Sequence, residues 1–254
     1  RAISDALLGR AQAIDFLIAL GTHPPMTEAR INALLDVSAE ERETRYRAVR
    51  VFNHRWNEPD ALTHVGTLSN SQVEPLSGGR LSIEVPVRLN KLLLDYDHIL
   101  IVGPIFPHEV VGFSGGHKYL FPGVAAPEII NFTHWLGALV TNPSINGTRE
   151  TPVRAVIEAA AEHVPVERSL IGYVVADSDV VGVFTGPVRP TWEAATELSS
   201  RVNIRHVERP YQTILACAPT MYDDIWTAGK CMYKMEPVVA DGGTLIIYAP
   251  HITE

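Results

Sequence analysis

The densest group of chemically useful residues lies between positions 107 and 118, in the segment PHEVVGFSGGHK. Its three glycines, Gly112, Gly115 and Gly116, permit positive φ angles or close approach of the backbone to a ligand. The amides of Gly115 and Gly116 suit a phosphate, and the amine of Lys118 suits that phosphate or a covalent bond. The spacing is not that of a Walker loop, and the same residues also suit a tight turn before an exposed lysine.

Four of the ten histidines stand beside turn residues, at the ends of apolar segments: His23, His54, His108 and His134. Imidazole titrates near neutral pH and binds transition metals, so each is a candidate for proton transfer or metal ligation. Loops at strand ends are where the sites of α/β proteins are built, which favours this interpretation. Each histidine taken alone also fits a surface position, or a core position with its hydrogen bonds satisfied.

The segment 107–118 resembles the signature loop of the nickel-pincer lactate racemases. The resemblance is carried by Pro107, His108, Gly112, Phe113, Ser114, Gly115, Gly116, Lys118, Pro122 and Gly123. In that family the loop lysine is joined through a thioamide to a pyridinium mononucleotide, and two sulfurs and a ring carbon of the nucleotide bind nickel. A histidine sixteen residues further on completes the square-planar set, a geometry that suits Ni(II). His134 stands at that distance from Lys118.

Three other segments are similar to the same family and follow in the same order. Residues 21–27 (GTHPPMT) resemble the segment of its first catalytic histidine, and residues 53–56 (NHRW) resemble a stretch in which His54 is interpreted as structural. Residues 224–232 resemble the segment of a substrate-binding lysine. The family's Asp-x-x-Arg segment has no counterpart before Gly21, and Thr227 replaces its glutamine.

The resemblance implies a cofactor and the residues that hold it. The cofactor is the nickel-pincer nucleotide, pyridinium-3-thioamide-5-thiocarboxylic acid mononucleotide with Ni(II). Lys118 is expected to tether it, with Gly115 and Gly116 as further cofactor-binding residues and His134 as the metal ligand. The enzymes that synthesise and insert this cofactor are the expected protein partners.

The implied activity is racemisation or epimerisation of a small α-hydroxy acid by reversible hydride transfer. Inversion through a planar keto acid needs a proton acceptor on each side of the substrate, because each enantiomer presents its hydroxyl differently. The resemblance assigns these acid–base roles to His23 and His108. It assigns substrate binding to Lys230, as a point charge for the carboxylate, and to Thr227.

The elements that position these residues alternate between strand and helix, which indicates an α/β fold of mixed, largely parallel sheets in two domains, with the active site at their interface. Residues 1–207 are predicted to form an N-terminal cofactor-tethering catalytic domain with its upstream part missing. Residues 208–254 would begin a second, truncated α/β domain, so a fragment is expected. The apolar run at 97–104, which ends in Gly-Pro, predicts a buried parallel strand before the signature loop.

Hydrophobic spacing and capping signals predict the remaining elements. The predicted helices are 1–20, 27–35, 38–46 with Ser38 and Glu41 as a capping box, 127–140, 152–163, 192–202 and 223–232. The predicted strands are 49–53, 81–89, 169–176, 180–184, 211–218 and 244–248.

Composition narrows the class of protein. The chain of 254 residues is 46% hydrophobic with a net charge of −8 and no basic cluster, which argues against a nucleic-acid partner. No apolar stretch approaches the ~20 residues that span a bilayer, the first thirty residues do not resemble a signal peptide, and two cysteines are too few for a disulfide framework. We therefore expect a cytoplasmic protein with no membrane partner.

Two other functions fit parts of the pattern. A histidine-clustered zinc or nickel hydrolase would activate a metal-bound water, but it needs three protein ligands, and neither HxH nor HExxH occurs in the sequence. A non-catalytic relative would keep the loop and its lysine as scaffold, which the missing Asp-x-x-Arg segment allows.

Overall fold

The computed structural model describes residues 1–222 and 224–252 of the chain. Its helices are α1 Ala2–Leu7, α2 Glu28–Leu35, α3 Ala39–Glu43, α4 Asn70–Leu76, α5 Pro127–Val140, α6 Asn142–Ile145, α7 Pro152–Ala161, α8 Val188–Asn203, α9 Ile225–Ala228 and α10 Lys230–Met235. Its strands are β1 Asp15–Ile18, β2 Arg50–Asn53, β3 Leu62–Leu68, β4 Val85–Asn90, β5 His98–Pro104, β6 Pro107–His108, β7 Gly112–Phe113, β8 Glu167–Ala176, β9 Asp179–Pro187, β10 Tyr211–Cys217 and β11 Val239–Tyr248.

The predicted mixed α/β class is confirmed. Parallel pairs form between β1 and β2, between β5 and β8, and between β10 and β11. Antiparallel pairs form between β3 and β4, between β6 and β7, and between β8 and β9. Antiparallel pairing is therefore more frequent than the sequence indicated, because β3 and the short hairpin β6–β7 lack a hydrophobic pattern long enough to recognise.

The three-stranded sheet β5-β8-β9 places the signature loop. Strand β5 pairs in parallel with β8 from His98 opposite Glu167 to Pro104 opposite Tyr173, and the loop follows directly at its carboxyl end. Ile99 and Ile101 of β5 are buried in the main hydrophobic core. Burial of two isoleucine side chains stabilises this arrangement by about 3–6 kcal/mol, so the start of the loop is firmly fixed.

The first twenty residues differ from the prediction of one helix. Helix α1 ends at Leu7, and Asp15–Ile18 is the strand β1, parallel to β2. A few apolar residues at Ile14, Leu17 and Ile18 fit either a helix or a short strand, and tertiary pairing decides between them. An ion pair between Asp15 and Arg50 at the start of the ladder adds to that pairing.

Local capping signals proved more informative. Thr27 accepts a hydrogen bond from the Arg30 amide at the start of α2, at 3.3 Å. Ser38 and Glu41 form the predicted capping box of α3, with bonds of 3.0 and 2.9 Å. Both predicted helix starts are therefore confirmed. In each, the N-cap side chain accepts from a backbone donor that the first turn leaves unpaired.

Residues after the predicted boundary form the parallel pair β10–β11, with α9 and α10 in between. The helix predicted over 223–232 is two short helices that meet at Gly229, and Asp223 lies outside the described residues. Asn142 of α6 donates hydrogen bonds to the Tyr233 carbonyl and, at 3.0 Å, to Glu236, which joins this part to the preceding one. Among the described helices, none is long and apolar enough to cross a membrane.

Candidate active site

The signature loop is held by side chains from two helices. Its carbonyl groups accept hydrogen bonds from buried donors: the guanidinium of Arg154 on α7 donates to Phe113 and, at 3.2 Å, to Gly115. The indole of Trp192 on α8 donates to the Ser114 carbonyl at 2.8 Å. Three consecutive carbonyls therefore face the protein interior, and the loop conformation is set by its support.

Arg154 is the central residue of that support. Its side chain is fully buried, lies 4.2 Å over the ring of Trp192 and pairs with Glu158 at 3.5 Å. Burial lowers the pKa of Arg154 to about 10, so it remains cationic at neutral pH. A buried cation beside the loop raises the local positive potential within an acidic protein.

The histidine that precedes the loop lysine has a structural role. His117 Nδ1 donates to Glu158 at 2.7 Å, and its Nε2 accepts from Arg168 at 3.0 Å. Both ring nitrogens are therefore engaged, which fixes the first turn of the short 3₁₀ helix Gly116–Tyr119. Lys118 is the third residue of that turn.

The two cofactor-assigned glycines are explained by packing. Gly115 has φ +80°, and a Cβ there would lie 2.5 Å from Ile105 Cγ1. Gly116 has φ +60°, and its Cβ would lie 3.0 Å from the Trp192 ring. A side chain at either position would point into the core, so glycine is required at both whether or not a phosphate binds the amides.

Lys118 is partly buried among charged groups. Burial and the charges of Arg154 and Lys230 lower its pKa to about 8, while the negative charge of Glu109 opposes this shift. A lysine with this pKa is partly neutral at physiological pH, and a neutral amine is a nucleophile. The environment therefore suits a lysine that forms a covalent bond.

His108 lies on β6 within the same charged pocket, with 13% of its side chain exposed. Burial, followed by the charges of Lys118, Lys230, Lys234 and Arg154, holds its pKa well below the usual value, so the ring is neutral. The Val110 amide donates to its Nδ1 at 3.1 Å. A neutral ring whose Nδ1 accepts carries its proton on Nε2.

Lys230 reaches the signature loop from α10. Its Nζ lies 3.6 Å from Oε1 of Glu109, and the other carboxylate oxygen lies 3.8 Å from His108 Nδ1. Glu109 is only 8% exposed. The structure thus brings together His108, Lys118 and Lys230, three of the residues predicted from sequence, around a carboxylate that had no assigned role.

The second predicted substrate residue is engaged locally. Thr227 is buried, and its hydroxyl donates to the Asp224 carboxylate at 2.8 Å while its amide binds the same carboxylate at 2.6 Å. Asp224 is the N-cap of α9. Thr227 is therefore a hydrogen-bond donor to this N-cap, and its contact with substrate stays a prediction.

His23 lies across from this cap, in an exposed loop. Its charge adds to the lowering of the Asp224 pKa, which hydrogen bonds from Thr227 mainly cause. His23 lines an open cleft of about 440 Å³ together with Thr22, Pro24, Pro25, His54, Arg55, Trp56, Asn57 and Glu58. The Gly21 amide donates to the Gly123 carbonyl at 2.8 Å, which joins this loop to the segment after Lys118.

His134 lies on α5 in a state that suits a metal ligand. Its Nδ1 is 2.7 Å from the Ile130 carbonyl, and because a carbonyl only accepts, this nitrogen carries the proton. The lone pair is then on Nε2, directed away from the helix backbone. Metal-binding histidines are commonly oriented by such a bond from the other ring nitrogen.

His54 has the structural role expected of it. The ring is buried, its Nε2 donates to the Ala125 carbonyl at 3.0 Å, and Asn90 donates to its Nδ1 at 3.3 Å. The hydrolase alternative calls for three protein ligands around one metal ion. In the residues that the structure describes, no group of three His, Cys, Asp or Glu side chains has that geometry.

Sequence reasoning missed Arg154, Trp192, Glu109 and Lys234. Glu109 stands inside the signature segment, and Lys234 follows Lys230 by four residues, so helical spacing puts both lysines on one face of α10. These two carried a usable signal. Arg154 and Trp192 lie more than thirty residues beyond the loop, and nothing in their local sequence indicates that they bind its carbonyls.

Two solved structures share the fold of this chain. A crystal structure of a protein from Thermotoga maritima matches with a TM-score of 0.89 and 33% identity, over 99% of this chain and 62% of that one. The lactate racemase apoprotein of Thermoanaerobacterium thermosaccharolyticum matches with a TM-score of 0.72 and 21% identity, over 92% of this chain and 52% of that one.

Curated relatives point the same way. Lactate racemases of Thermoanaerobacterium thermosaccharolyticum and Lactiplantibacillus plantarum are 28% and 24% identical over 93% of this chain. The chain spans about half of their length, 51% and 52% respectively. The family model of the lactate racemase N-terminal domain matches residues 5–146, more than half of the chain. The chain therefore belongs to the lactate racemase N-terminal domain family.

Proposed function

We propose that this chain forms the cofactor-tethering part of a nickel-dependent α-hydroxy-acid racemase or epimerase. The observation that carries the proposal is the pocket in which Lys118, His108 and Lys230 meet, with the pKa of Lys118 lowered to about 8. An amine that is partly neutral at physiological pH, beside a neutral imidazole and a second lysine, suits covalent tethering next to a bound anion.

The residues present fit a nickel-pincer nucleotide. Lys118 would form the covalent tether, and His134 would supply one imidazole nitrogen as a metal ligand. That nitrogen is Nε2, which keeps its lone pair because Nδ1 donates to the Ile130 carbonyl. When bound, the nucleotide supplies the hydride acceptor for the α-carbon of the substrate. Arg154, Lys230 and Lys234 provide positive potential for its anionic groups and for the substrate.

Lys230 would hold the substrate carboxylate at the mouth of this pocket. Its side chain is 30% exposed, and its ammonium lies 3.6 Å from Glu109, so an incoming carboxylate can reach it without unfolding α10. A second lysine, Lys234, stands one helical turn further along. Anchoring the carboxylate fixes the α-carbon relative to the tethered cofactor, which is the positioning contribution to catalysis.

His23 and His108 would exchange the hydroxyl proton on the two sides of the substrate. His23 is exposed in its loop and is therefore accessible to an incoming hydroxyl. His108 presents Nε2–H while Val110 occupies Nδ1, so it first donates to a substrate oxygen. Accepting a proton at Nε2 requires a change of tautomer that releases the Val110 amide.

The test is expression of the protein from its complete gene together with enzymes that build and insert the cofactor. We expect a covalent mass increase on the Lys118 peptide, bound nickel, and racemisation of at least one member of a panel of α-hydroxy acids. Metal without a covalent adduct would favour a metal-dependent hydrolase instead. Neither metal nor adduct would indicate a non-catalytic relative.

Two variants test the acid–base roles. His23→Ala and His108→Ala are each expected to lower the racemisation rate by about 10²–10⁴-fold while the adduct and nickel remain, because proton transfer contributes on that scale. His64→Ala serves as a control, since His64 is exposed and hydrogen-bonded to Thr67 on β3. Full activity in either site variant would refute the two-base scheme.

A further inference from the structure

Glu109 is a carboxylate inside a pocket that otherwise collects positive charge. It is 8% exposed and lies on the loop between β6 and β7, next to His108. Its two oxygens face different partners, Lys230 at 3.6 Å and His108 Nδ1 at 3.8 Å. Since the His108 ring is neutral, Lys230 is the cation that Glu109 pairs with directly.

Lys230 is also the residue proposed above to bind the substrate carboxylate. A carboxylate bound at Lys230 therefore shares that ammonium with Glu109, at a separation of a few ångströms from it. In a partly buried pocket, two like charges at such a distance repel strongly, because the effective dielectric constant is well below that of water. Each additional negative charge on the substrate would increase this repulsion.

The charges that face the ligand are few. Lys230 and Lys234 lie one helical turn apart on α10, and both act on His108. Among the described residues, Lys234 has no acidic partner within 4.0 Å, whereas Lys230 is paired with Glu109. Arg154 is occupied by Glu158 and by loop carbonyls, and Lys118 would lose its charge on becoming a thioamide. The charges of Lys230, Lys234 and Glu109 therefore sum to one positive charge.

We propose that Glu109 sets the charge preference of the substrate site, selecting α-hydroxy acids with one carboxylate over those with two. The inference rests on the proposed function, because it takes Lys230 as the substrate-binding residue. Glu109 acts here as a specificity determinant through its charge and takes no part in proton or hydride transfer.

The experiment uses two ligands that bind like substrates but cannot react. 2-Hydroxyisobutyrate and citramalate are α-hydroxy acids without a hydrogen on the α-carbon, and citramalate carries one more carboxylate. Calorimetry gives the dissociation constant of each for the wild-type protein and for Glu109→Gln, both loaded with cofactor and without it. In Glu109→Gln we expect the affinity for citramalate to rise about tenfold relative to that for 2-hydroxyisobutyrate.

Three further variants separate charge from shape. Glu109→Asp keeps the charge and is expected to keep the wild-type ratio of dissociation constants. Lys234→Gln removes a positive charge and is expected to shift the ratio in the opposite direction. Glu128→Gln, which breaks an ion pair with Arg88 of 2.8 Å outside the pocket, is expected to leave the ratio unchanged.

The outcomes decide separately on the two proposals. An unchanged ratio in Glu109→Gln, with both ligands still bound, overturns the role of Glu109 and leaves the proposed function intact. Failure of the wild-type protein to bind either ligand contradicts the substrate class itself. If Glu109→Gln does not fold, Glu109→Ser removes the same charge with a smaller side chain and must shift the ratio in the same direction. If neither variant folds, the carboxylate is required for folding and the specificity role is overturned.

Discussion

The loops that carry His108 and His23 are attached to the protein in different ways. The His108 loop is buried from Val111 to His117, and its carbonyls bind Arg154 and Trp192. The His23 loop has exposed residues from Thr22 to Pro25. It is held at its ends, by the Gly21–Gly123 hydrogen bond and by two bonds between Asn53 and Met26 of 2.9 and 3.0 Å.

This difference matches the tasks proposed for the two loops. A cofactor tether must keep the reacting atoms at a set distance, and an error of an ångström is costly, so a rigid support is favourable. A proton acceptor at the entrance has to let the substrate in, which an exposed loop held at its ends allows. The proposed site would thus combine a rigidly supported loop with an exposed one.

The largest effect is expected at the lysine of the fixed loop. Lys118→Met should abolish the covalent adduct completely, because this amine is the proposed point of attachment. Intact-protein mass spectrometry after expression with the cofactor-synthesis enzymes measures the adduct. Lys91→Met, at an exposed position, is the control and should retain it. An adduct of full occupancy in Lys118→Met would move the tether to another residue.

The next-largest effects are expected when the hydrogen bonds that support the two loops are removed. Arg154→Met leaves the carbonyls of Phe113 and Gly115 without their donor, and we expect a loss of about 3 kcal/mol in the free energy of unfolding. Asn53→Ala removes the two bonds to Met26 and should cost about 1–2 kcal/mol. Urea denaturation measures both values. Equal losses would show that the loops are held equally firmly.

Alanine substitutions of one glycine in each loop test the same difference in support. Gly115 and Gly21 both have positive φ, +80° and +57°. A Cβ at Gly115 would lie 2.5 Å from Ile105, whereas a Cβ at Gly21 would have none of the surrounding atoms within 4 Å. Gly21→Ala should therefore cost about 1 kcal/mol from backbone strain alone. Gly115→Ala should cost about 2–3 kcal/mol, because overpacking is added. Thermal unfolding separates the two, and similar shifts in Tm would contradict the packing argument.

The smallest effect is a shift in the pH dependence of labelling. The pKa of Lys118 is lowered from 10.5 to about 8, mainly by burial, so its neutral amine becomes abundant as the pH rises through 8. Reaction with an amine-specific reagent, followed by site-resolved mass spectrometry, should have its midpoint there, whereas a lysine model peptide titrates near 10.4. In Glu109→Gln the midpoint should fall further, since Glu109 raises this pKa. A midpoint near 10.4 in the wild-type protein would show that the amine is not perturbed.

Sequence reasoning succeeded where the determining interactions are local. The N-caps Thr27 and Ser38 act within three residues, so these helix starts are predicted correctly. The apolar run of β5 correctly indicates a parallel strand, but the strand is buried only at alternate positions, with Val102 40% exposed. Asp15–Ile18 was mistaken for part of a helix, because only its pairing with the distant Arg50–Asn53 makes it a strand.

The same distinction applies to the site. The resemblance located His108, Lys118 and Lys230, and the structure places the three in one pocket. Glu109 is part of the motif, but its role depends on pairing with Lys230, which lies more than a hundred residues further along the chain.

The position of Arg154 and Trp192 also bears on where the chain can be divided. The family model ends at residue 146, yet the donors that hold the signature loop follow it, on α7 and α8. A protein trimmed at that boundary would keep every residue of the motif and lose the groups that shape it. The range matched by the family model is therefore shorter than the stretch that holds the loop, which extends at least through Trp192.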